Sequence, residues 1–334
     1  MSKFTKFKFK ARMLLYSLFL KSPRLSSIYY TFLSGGFHEE HFAVVSGIYK
    51  NKNETLNMGN FRRSIHRIEK GLITSPSKPV FAESYILETV LNFRDLVQMP
   101  VDNSTKEWAI GILQQYFDTV RETEITKNAK TIFLKVKRDE KIKLPVTYMA
   151  FTRSRSKISY TDFLQLTRQR RSVRYYEDKP VPRNLVENAI RAALQSPSAC
   201  NRQPFMYRII DDPGRILEAA RLPNGSEVFA QNIKMMVFLI GDLSNYFDER
   251  DKHLIYIDGA LSAQSFILAL ETLGLSSCII NWSDIPSNNY RLKTFLQLED
   301  WERCVMSISV GYADPNSGIP SSVKKDIKTV VRYN

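Results

Sequence analysis

The chain reads Ser196-Pro197-Ser198-Ala199-Cys200-Asn201-Arg202-Gln203-Pro204-Phe205 between a helical pattern and a strand-like run. Small side chains in such a loop let the backbone approach a ligand closely, and polar groups there fix its orientation. Asn201 and Gln203 each carry a donor and an acceptor, which suits the mixed edge of a planar heterocycle. A plain helix stop and turn has the same composition, so both interpretations stay open.

Upstream of this loop lies a basic run, Arg170-Arg171-Ser172-Val173-Arg174. In an extended segment side chains two apart share a face, so Arg170, Ser172 and Arg174 would point the same way. Two guanidinium groups and a hydroxyl form a good receptor for a phosphate dianion, because arginine bonds oxyanions bidentately and keeps its charge. A solvated basic patch is the alternative.

Helical and strand-like signals alternate after residue 160. Pro182 starts a helical pattern that Ser196-Pro197 ends, and an amphipathic helix over His253–Leu273 ends at Gly274. The strand-like runs are Phe205–Ile210, Met235–Ile240, Ser276–Ile280 and Cys304–Val310. Interleaved helices and strands predict an α+β or α/β sandwich.

The order and spacing of the basic run and the loop resemble the opening of the nitroreductase family of FMN enzymes. This resemblance implies an α+β fold over residues 159–334, an α-β-α sandwich with a central mixed sheet. It also implies that the FMN phosphate and ribityl chain are held by Arg170, Arg171, Ser172 and Arg174. The flavin would be lined by Pro197, Ser198, Ala199, Asn201 and Gln203.

Two later segments are similar to the same family. Gly274–Trp282 resembles the helix–strand passage whose end presents backbone N–H groups near flavin N5, which implies Asn281 and Trp282 as further contacts. Val310–Pro315 and the basic tail resemble the closing strand and the last phosphate contact. Lys324 is the candidate for that contact, with Lys325 one register away.

The resemblance implies an FMN-dependent oxidoreductase that moves hydride from NAD(P)H, a transient reductant, through the flavin to a small electron-poor acceptor. The acceptor would be a nitro, quinone or enone compound, or a biosynthetic intermediate. No catalytic side chain is required, although a cation at the flavin N1/O2 edge would help, and Arg202 or Lys234 is available. The alternative is a non-catalytic flavin-binding or scaffold module of a polysaccharide assembly system.

Family members of this kind are homodimers with FMN at the subunit boundary. The helix over His253–Leu273 could form that interface, and it could equally be a core helix of one subunit. The charged cluster His66–Leu72 resembles an extension on nitroreductase-like proteins associated with surface-polysaccharide genes, which suggests a link to surface-polysaccharide biosynthesis.

Charge divides the chain unevenly. Residues 1–160 hold 27 Lys/Arg and 14 Asp/Glu, a net +13, whereas residues 161–334 hold 21 and 20, a net +1. We therefore predict a mostly helical N-terminal region over 1–158, basic and of unknown role, with a boundary near residue 158. Alternation over Lys130–Lys137 indicates one strand within it.

The first 33 residues carry seven Lys/Arg and no acid among large apolar side chains. Such a segment suits an anionic membrane surface, and an amphipathic helix that docks on the rest of the protein has the same pattern. An anionic glycan is a further partner for the positive charge of residues 1–160. No nucleic acid is expected, because no recognised binding module accompanies the charge.

Three cysteines without a CxxC spacing, Cys200, Cys278 and Cys304, favour a reduced compartment. No apolar run approaches the ~20 residues that cross a bilayer, and the early apolar stretch Met13–Leu20 lacks a small-residue cleavage site. We expect a cytoplasmic protein, with peripheral contact at the inner face of the membrane left open. The four histidines predict no metal site.

Overall fold

The computed structural model describes residues 13–74, 78–136 and 146–334. Its N-terminal part is helical and begins with a hairpin, in which helical residues 13–19 are followed by α1 (Pro23–Ile28) and a π-helical turn (Tyr29–Ser34). The helices that follow are α2 (His38–Asn53), α3 (Met58–Leu72), α4 (Glu83–Val97), α5 (Asn103–Thr119) and α6 (Glu124–Lys135).

Helices α3 to α6 enclose an apolar core of their own, built around fully buried Ile65, Phe93 and Phe133. Side-chain caps fix where these helices begin, since Asn57, Asp102 and Thr123 each accept a backbone N–H of the first turn. The strand predicted over Lys130–Lys137 is wrong up to Lys135, and residue 137 lies outside the described residues. The Thr123 capping box and the burial of Ala129 and Phe133, four apart, favour a helix there.

The C-terminal part contains a four-stranded sheet in the order β1 (Phe205–Ile210), β2 (Met235–Asp242), β4 (Glu302–Gly311) and β3 (Ser276–Ile280). All three ladders between these strands are antiparallel. The basic run adds one parallel bridge, Ser172 to Ser277, at the free edge of β3. The sheet is therefore mixed only at this edge, and the predicted α+β class is confirmed.

Helices cover both faces of the sheet. The helices of this part are α7 (Tyr160–Gln169), α8 (Arg183–Ala193), α9 (Pro213–Ala220), α10 (Leu254–Thr272) and α11 (Pro286–Leu296). Helices α8 and α10 pack on the face that carries Val237 and Ile308, and α9 and α11 pack on the face that carries Phe238. The result is the α-β-α sandwich that the resemblance implied.

Helix α10 is the central helix of this part. The stretch Glu249–Thr272 is long and apolar enough to cross a membrane by length and composition, contrary to what uninterrupted apolar runs suggested. Core helices of soluble proteins pass the same test, and 44% of the tested window is buried inside the protein. Gly274 ends the helix with a φ of +74°, as its place in the sequence predicted.

The helical part packs directly on the turn that follows β2. A Cβ at Gly47 of α2 would lie 2.8 Å from the Leu243 backbone, and one at Gly59 of α3 would lie 2.7 Å from that of Asn245. Asn51 donates its amide to the Ser244 carbonyl at 2.7 Å. The two glycines let α2 and α3 approach the sheet closely, although the boundary near residue 158 stays a prediction.

Candidate functional site

The basic run is fixed as an extra strand-like segment beside β3. The Val173 N–H donates to the Ser277 carbonyl at 3.1 Å, and the Val173 side chain is buried in the core. Tyr176, also buried, donates its hydroxyl to the Val173 carbonyl at 2.7 Å. This alternation leaves the residues on either side of Val173, Ser172 and Arg174, half-buried at the surface, as an extended segment requires.

The arginines of this run carry charge without a carboxylate partner. Within the described residues, Arg170, Arg171 and Arg174 form no ion pair within 4 Å. Arg171 donates to the Arg170 carbonyl and Arg174 to the Ser172 carbonyl, at 3.0 and 3.3 Å. The positive charges of Arg170 and Arg174 oppose the rise that burial causes in the pKa of Cys278. These guanidinium groups are available to an oxyanion.

The loop before β1 is held in an unusual backbone conformation. Cys200, Asn201 and Gln203 have φ values of 54°, 54° and 52°, a left-handed region that costs a residue other than glycine about 1 kcal/mol or more. Ser196 anchors the start of the loop on α10 through the Ser265 hydroxyl, 2.7 Å away. Further on, the Ser198 hydroxyl accepts the Gln203 N–H at 3.0 Å. Contacts around the loop must offset this strain.

Two charged side chains hold the backbone of the loop through hydrogen bonds. Asp258 of α10, which is buried, accepts the Ala199 N–H at 3.0 Å. Arg62 of α3 donates its Nε to the Asn201 carbonyl at 2.8 Å and its Nη1 to the Thr105 hydroxyl at 2.7 Å. The helical part thus contributes a direct contact to the loop. Sequence reasoning missed both Arg62 and Asp258, because neither lies in a motif of the family.

Arg62 is itself held in place by neighbours on α3 and α5. Its guanidinium lies over the Trp108 ring at 5.0 Å, and the Trp108 indole donates to Glu69 at 3.3 Å. Glu69 also contacts His66 at 2.9 Å. In the sequence, the charged cluster His66–Leu72 was the feature that drew attention to this region. Its Glu69, which His66 contacts, orients the tryptophan on which Arg62 stacks.

A buried charged group lies behind the loop. Arg202 is 4% exposed and its guanidinium lies over the Tyr246 ring at 5.0 Å. Its Nε and the Tyr246 hydroxyl have no hydrogen-bond partner among the described residues. Burial raises the pKa of Asp258, and the Ala199 N–H and the charge of Arg202 counteract that rise. Lys234, the other predicted cation, instead pairs with Asp178 at 2.7 Å.

The remaining predicted contacts lie after β3 and in the tail. Trp282 packs edge-on against Phe238 at 6.2 Å and donates its indole N–H to Asn289 at 2.8 Å. Asn281 is exposed and donates weakly to the Ser283 hydroxyl at 3.4 Å. Lys324 and Lys325 are exposed in the tail that follows β4. None of these side chains contacts the loop before β1.

The basic run and the loop occupy opposite corners of the sheet. Ser172 pairs with Ser277 at one edge, in the register where β3 meets the Gly311 end of β4. The loop leads into Phe205 at the other edge, where β1 meets the Gly241 end of β2. Two strands, β2 and β4, separate the edges. A single chain therefore does not bring the two predicted halves of the site together.

A cleft of about 890 Å³ opens between the helical part and the loop. Arg62 and Trp108 line it from the helical side, and Asn201 and Gln203 line it from the loop. Glu302 lies on its far wall, where burial raises the pKa of the carboxyl. Its volume suits a small molecule.

Comparisons with known proteins agree with this architecture. A family model described as "Nitroreductase family" matches residues 167–226 and 215–312. Residues 167–312 in the C-terminal part of the chain thus match the nitroreductase family. Members of this family are generally FMN-dependent oxidoreductases.

Individual relatives are distant. An iodotyrosine deiodinase of Nematostella vectensis is 22% identical over 209 residues, which cover 54% of this chain and 78% of the relative. A putative NADH dehydrogenase/NAD(P)H nitroreductase of Methanothermobacter thermautotrophicus is 25% identical over 166 residues, 48% of this chain and 83% of the relative. A solved putative nitroreductase of Desulfovibrio desulfuricans in complex with FMN is 22% identical, with a TM-score of 0.44, over 51% of this chain and 95% of that one.

Proposed function

We propose that the C-terminal part binds FMN and works as an NAD(P)H-dependent oxidoreductase toward a small electron-poor acceptor. The observation that carries the proposal is the basic run beside β3, where three half-buried arginines adjoin Ser172 and form no ion pair within 4 Å among the residues the structure describes. Unpaired guanidinium groups beside a hydroxyl fit a phosphate dianion. The family match supplies the class of cofactor.

The residues present suit both ends of FMN, the phosphate and the ring. Arg170, Ser172 and Arg174 would hold the phosphate. The strained loop would line the ring through its backbone and through Asn201 and Gln203, and Lys324 in the tail stays a predicted phosphate contact. Bound FMN would supply hydride transfer between NAD(P)H and the acceptor.

The side chains of the chain itself position and polarise the site. Asp258 and Arg62 hold the Ala199 N–H and the Asn201 carbonyl and so stabilise the strained shape of the loop. Arg202 contributes positive potential from behind the loop, in a region from which water is largely excluded. The protein thus provides order and charge while the cofactor carries the redox chemistry.

We propose a homodimer because of where the two corners lie. Because the phosphate corner and the ring-lining loop lie diagonally across one sheet, they would complete one site only if each comes from a different copy. Helix α10 offers an interface, since Ile257, Ala260, Leu261 and Gln264 are exposed at helical spacing next to the loop. A twofold axis at α10 would form two equivalent sites.

Purification tests the proposal. We expect a yellow protein whose bound pigment is released on denaturation and has the mass of FMN. Anaerobic addition of NADH or NADPH should bleach its visible band, and an acceptor should restore it. A yellow protein that neither nucleotide bleaches would support the alternative, a non-catalytic flavin module, and a colourless protein that does not take up FMN would contradict the proposal.

The acceptor is the finer part of the proposal. Nitro, quinone and enone compounds belong in the panel of acceptors, and an iodinated tyrosine belongs there too, because several relatives are iodotyrosine deiodinases. Reoxidation of the bleached protein by one class and not by the others would identify it. A role in surface-polysaccharide biosynthesis stays a prediction, as does the cytoplasmic location.

A further inference from the structure

The N-terminal hairpin, residues 13–34, is held together by an aromatic core of its own. Tyr29 is buried between Tyr16 and Phe19, with ring centroids 5.4 Å from each. The Ser26 hydroxyl donates to the Phe19 carbonyl at 2.9 Å and ties the two helical stretches together. The hairpin is therefore a defined structure within the described residues.

The outer surface of this hairpin is apolar. Leu14, Leu20, Phe32 and Leu33 are 66%, 78%, 78% and 60% exposed. Such side chains do not dock on the rest of the protein, so the docking interpretation of this segment is wrong for residues 13–34. Large exposed apolar surfaces in folded proteins usually mark a place where another surface binds.

Positive charge accompanies the exposed apolar side chains. Lys21 and Arg24 are exposed at the bend between the two stretches, and the first acid of the chain is Glu39. By sequence, residues 1–12 add Lys3, Lys6, Lys8, Lys10 and Arg12. Lysine is depleted in protein–protein interfaces, whereas lysine and arginine beside exposed leucine, phenylalanine and tyrosine are what anionic lipid surfaces bind.

We propose that the hairpin of residues 13–34 docks the protein on an anionic membrane surface, with Phe32 and Leu33 inserted among the lipids and Lys21 and Arg24 at the headgroups. The apolar side chains lose their contact with water there, and the basic groups meet lipid phosphates. The remainder of the chain, including the nitroreductase domain, stays outside the bilayer. This docking is independent of whether the domain binds FMN.

Co-sedimentation of the full-length protein with vesicles tests the proposal. Vesicles of phosphatidylglycerol mixed with phosphatidylcholine should bind the protein at least ~10-fold more strongly than phosphatidylcholine alone, because each basic group near an anionic surface contributes. Phe32→Gln/Leu33→Gln should weaken that binding about tenfold or more through lost apolar insertion. Lys21→Gln/Arg24→Gln should weaken it only on the anionic vesicles.

The matched control is Val228→Gln/Val323→Gln, which alters two apolar side chains that are 87% and 90% exposed elsewhere. It should bind vesicles as the parent does, and circular dichroism should show all variants folded. Parental binding by Phe32→Gln/Leu33→Gln would overturn the proposal. A lipid-free change in oligomeric state by that variant, measured by light scattering, would overturn it too, because a second copy would then cover the patch.

Discussion

The two corners of the sheet are built in different ways. At the β3 edge the basic run is fixed by its nearest strand and by Tyr176, all within the nitroreductase domain. At the β1 edge the loop with its left-handed residues is held by Asp258 and also by Arg62, which comes from the helical part. The contacts that fix the first corner lie within the C-terminal part, whereas the second corner also depends on Arg62 of the helical part.

This difference gives the helical part a role at the site. Its Arg62 replaces solvent at a carbonyl of the loop, and its Trp108 and Glu69 hold that arginine in place. Variants of the two corners and of the exposed stripe of α10 should therefore differ in how much they weaken FMN binding.

The largest loss of FMN binding is expected from variants of α10, the proposed interface through which the two corners would come together. Ile257→Asp/Leu261→Asp places two carboxylates on the exposed stripe of α10, and two buried charges at an interface prevent association. We expect a monomer that retains no FMN after gel filtration, with a circular dichroism spectrum like that of the parent. Val228→Asp, exposed elsewhere, is the control. A monomeric variant with full flavin content would show that one chain holds the whole site.

Loss of the phosphate corner should come next. Arg170→Ala/Arg174→Ala removes two charge-assisted contacts to an anion, each worth about 1.5–3 kcal/mol, so FMN should bind about 100-fold more weakly or worse. Ser172→Ala should cost about tenfold or less, since it removes one neutral donor. Arg153→Ala/Arg155→Ala in the exposed connector removes the same charge and should leave affinity unchanged. Equal flavin titrations for all four proteins would contradict the assigned corner.

The contribution of the helical part should be smaller. Arg62→Met keeps a side chain of similar length but removes the guanidinium that lies over Trp108 and contacts Thr105 and the loop. The lost bond to the Asn201 carbonyl is worth about 1 kcal/mol, so FMN affinity should fall about five- to tenfold. Arg94→Met, on the surface of α4, is the control. A lower thermal midpoint with unchanged FMN affinity would mean that Arg62 stabilises the fold without positioning the loop.

The smallest effect concerns the pH dependence of stability at Asp258. Burial raises the pKa of this carboxyl above its value in the unfolded chain, so its contribution is complete at low pH and is lost as pH rises through the raised pKa. Asp258→Asn keeps an oxygen for the Ala199 N–H and abolishes the titration. In urea unfolding at several pH values, the parent should lose stability relative to the variant above the ordinary range of aspartate. Parallel pH profiles would contradict this account.

Much of the domain could be read from the sequence. The bounds of β1 and β3 were predicted to the residue, because short runs of β-branched and aromatic residues between turn residues have few other outcomes. The alternation over Lys130–Lys137 led to the wrong prediction of a strand, because helix caps and the burial of Phe133 outweigh a local pattern. Arg62 could not be predicted, since its partner Asn201 is 139 positions away.

By itself the sequence determined the four strands and the helix over His253–Leu273, the chemistry of the basic run and the loop, and the positive charge of the first residues of the chain, since each depends on neighbours within a few positions. Tertiary structure decided that the basic run and the loop lie at opposite corners of the sheet and that Arg62 and Asp258 form hydrogen bonds with the loop. It also decided that the apolar side chains of the hairpin stay exposed. Strand order and long-range packing place residues that no local spacing relates, so only the folded chain could decide these points.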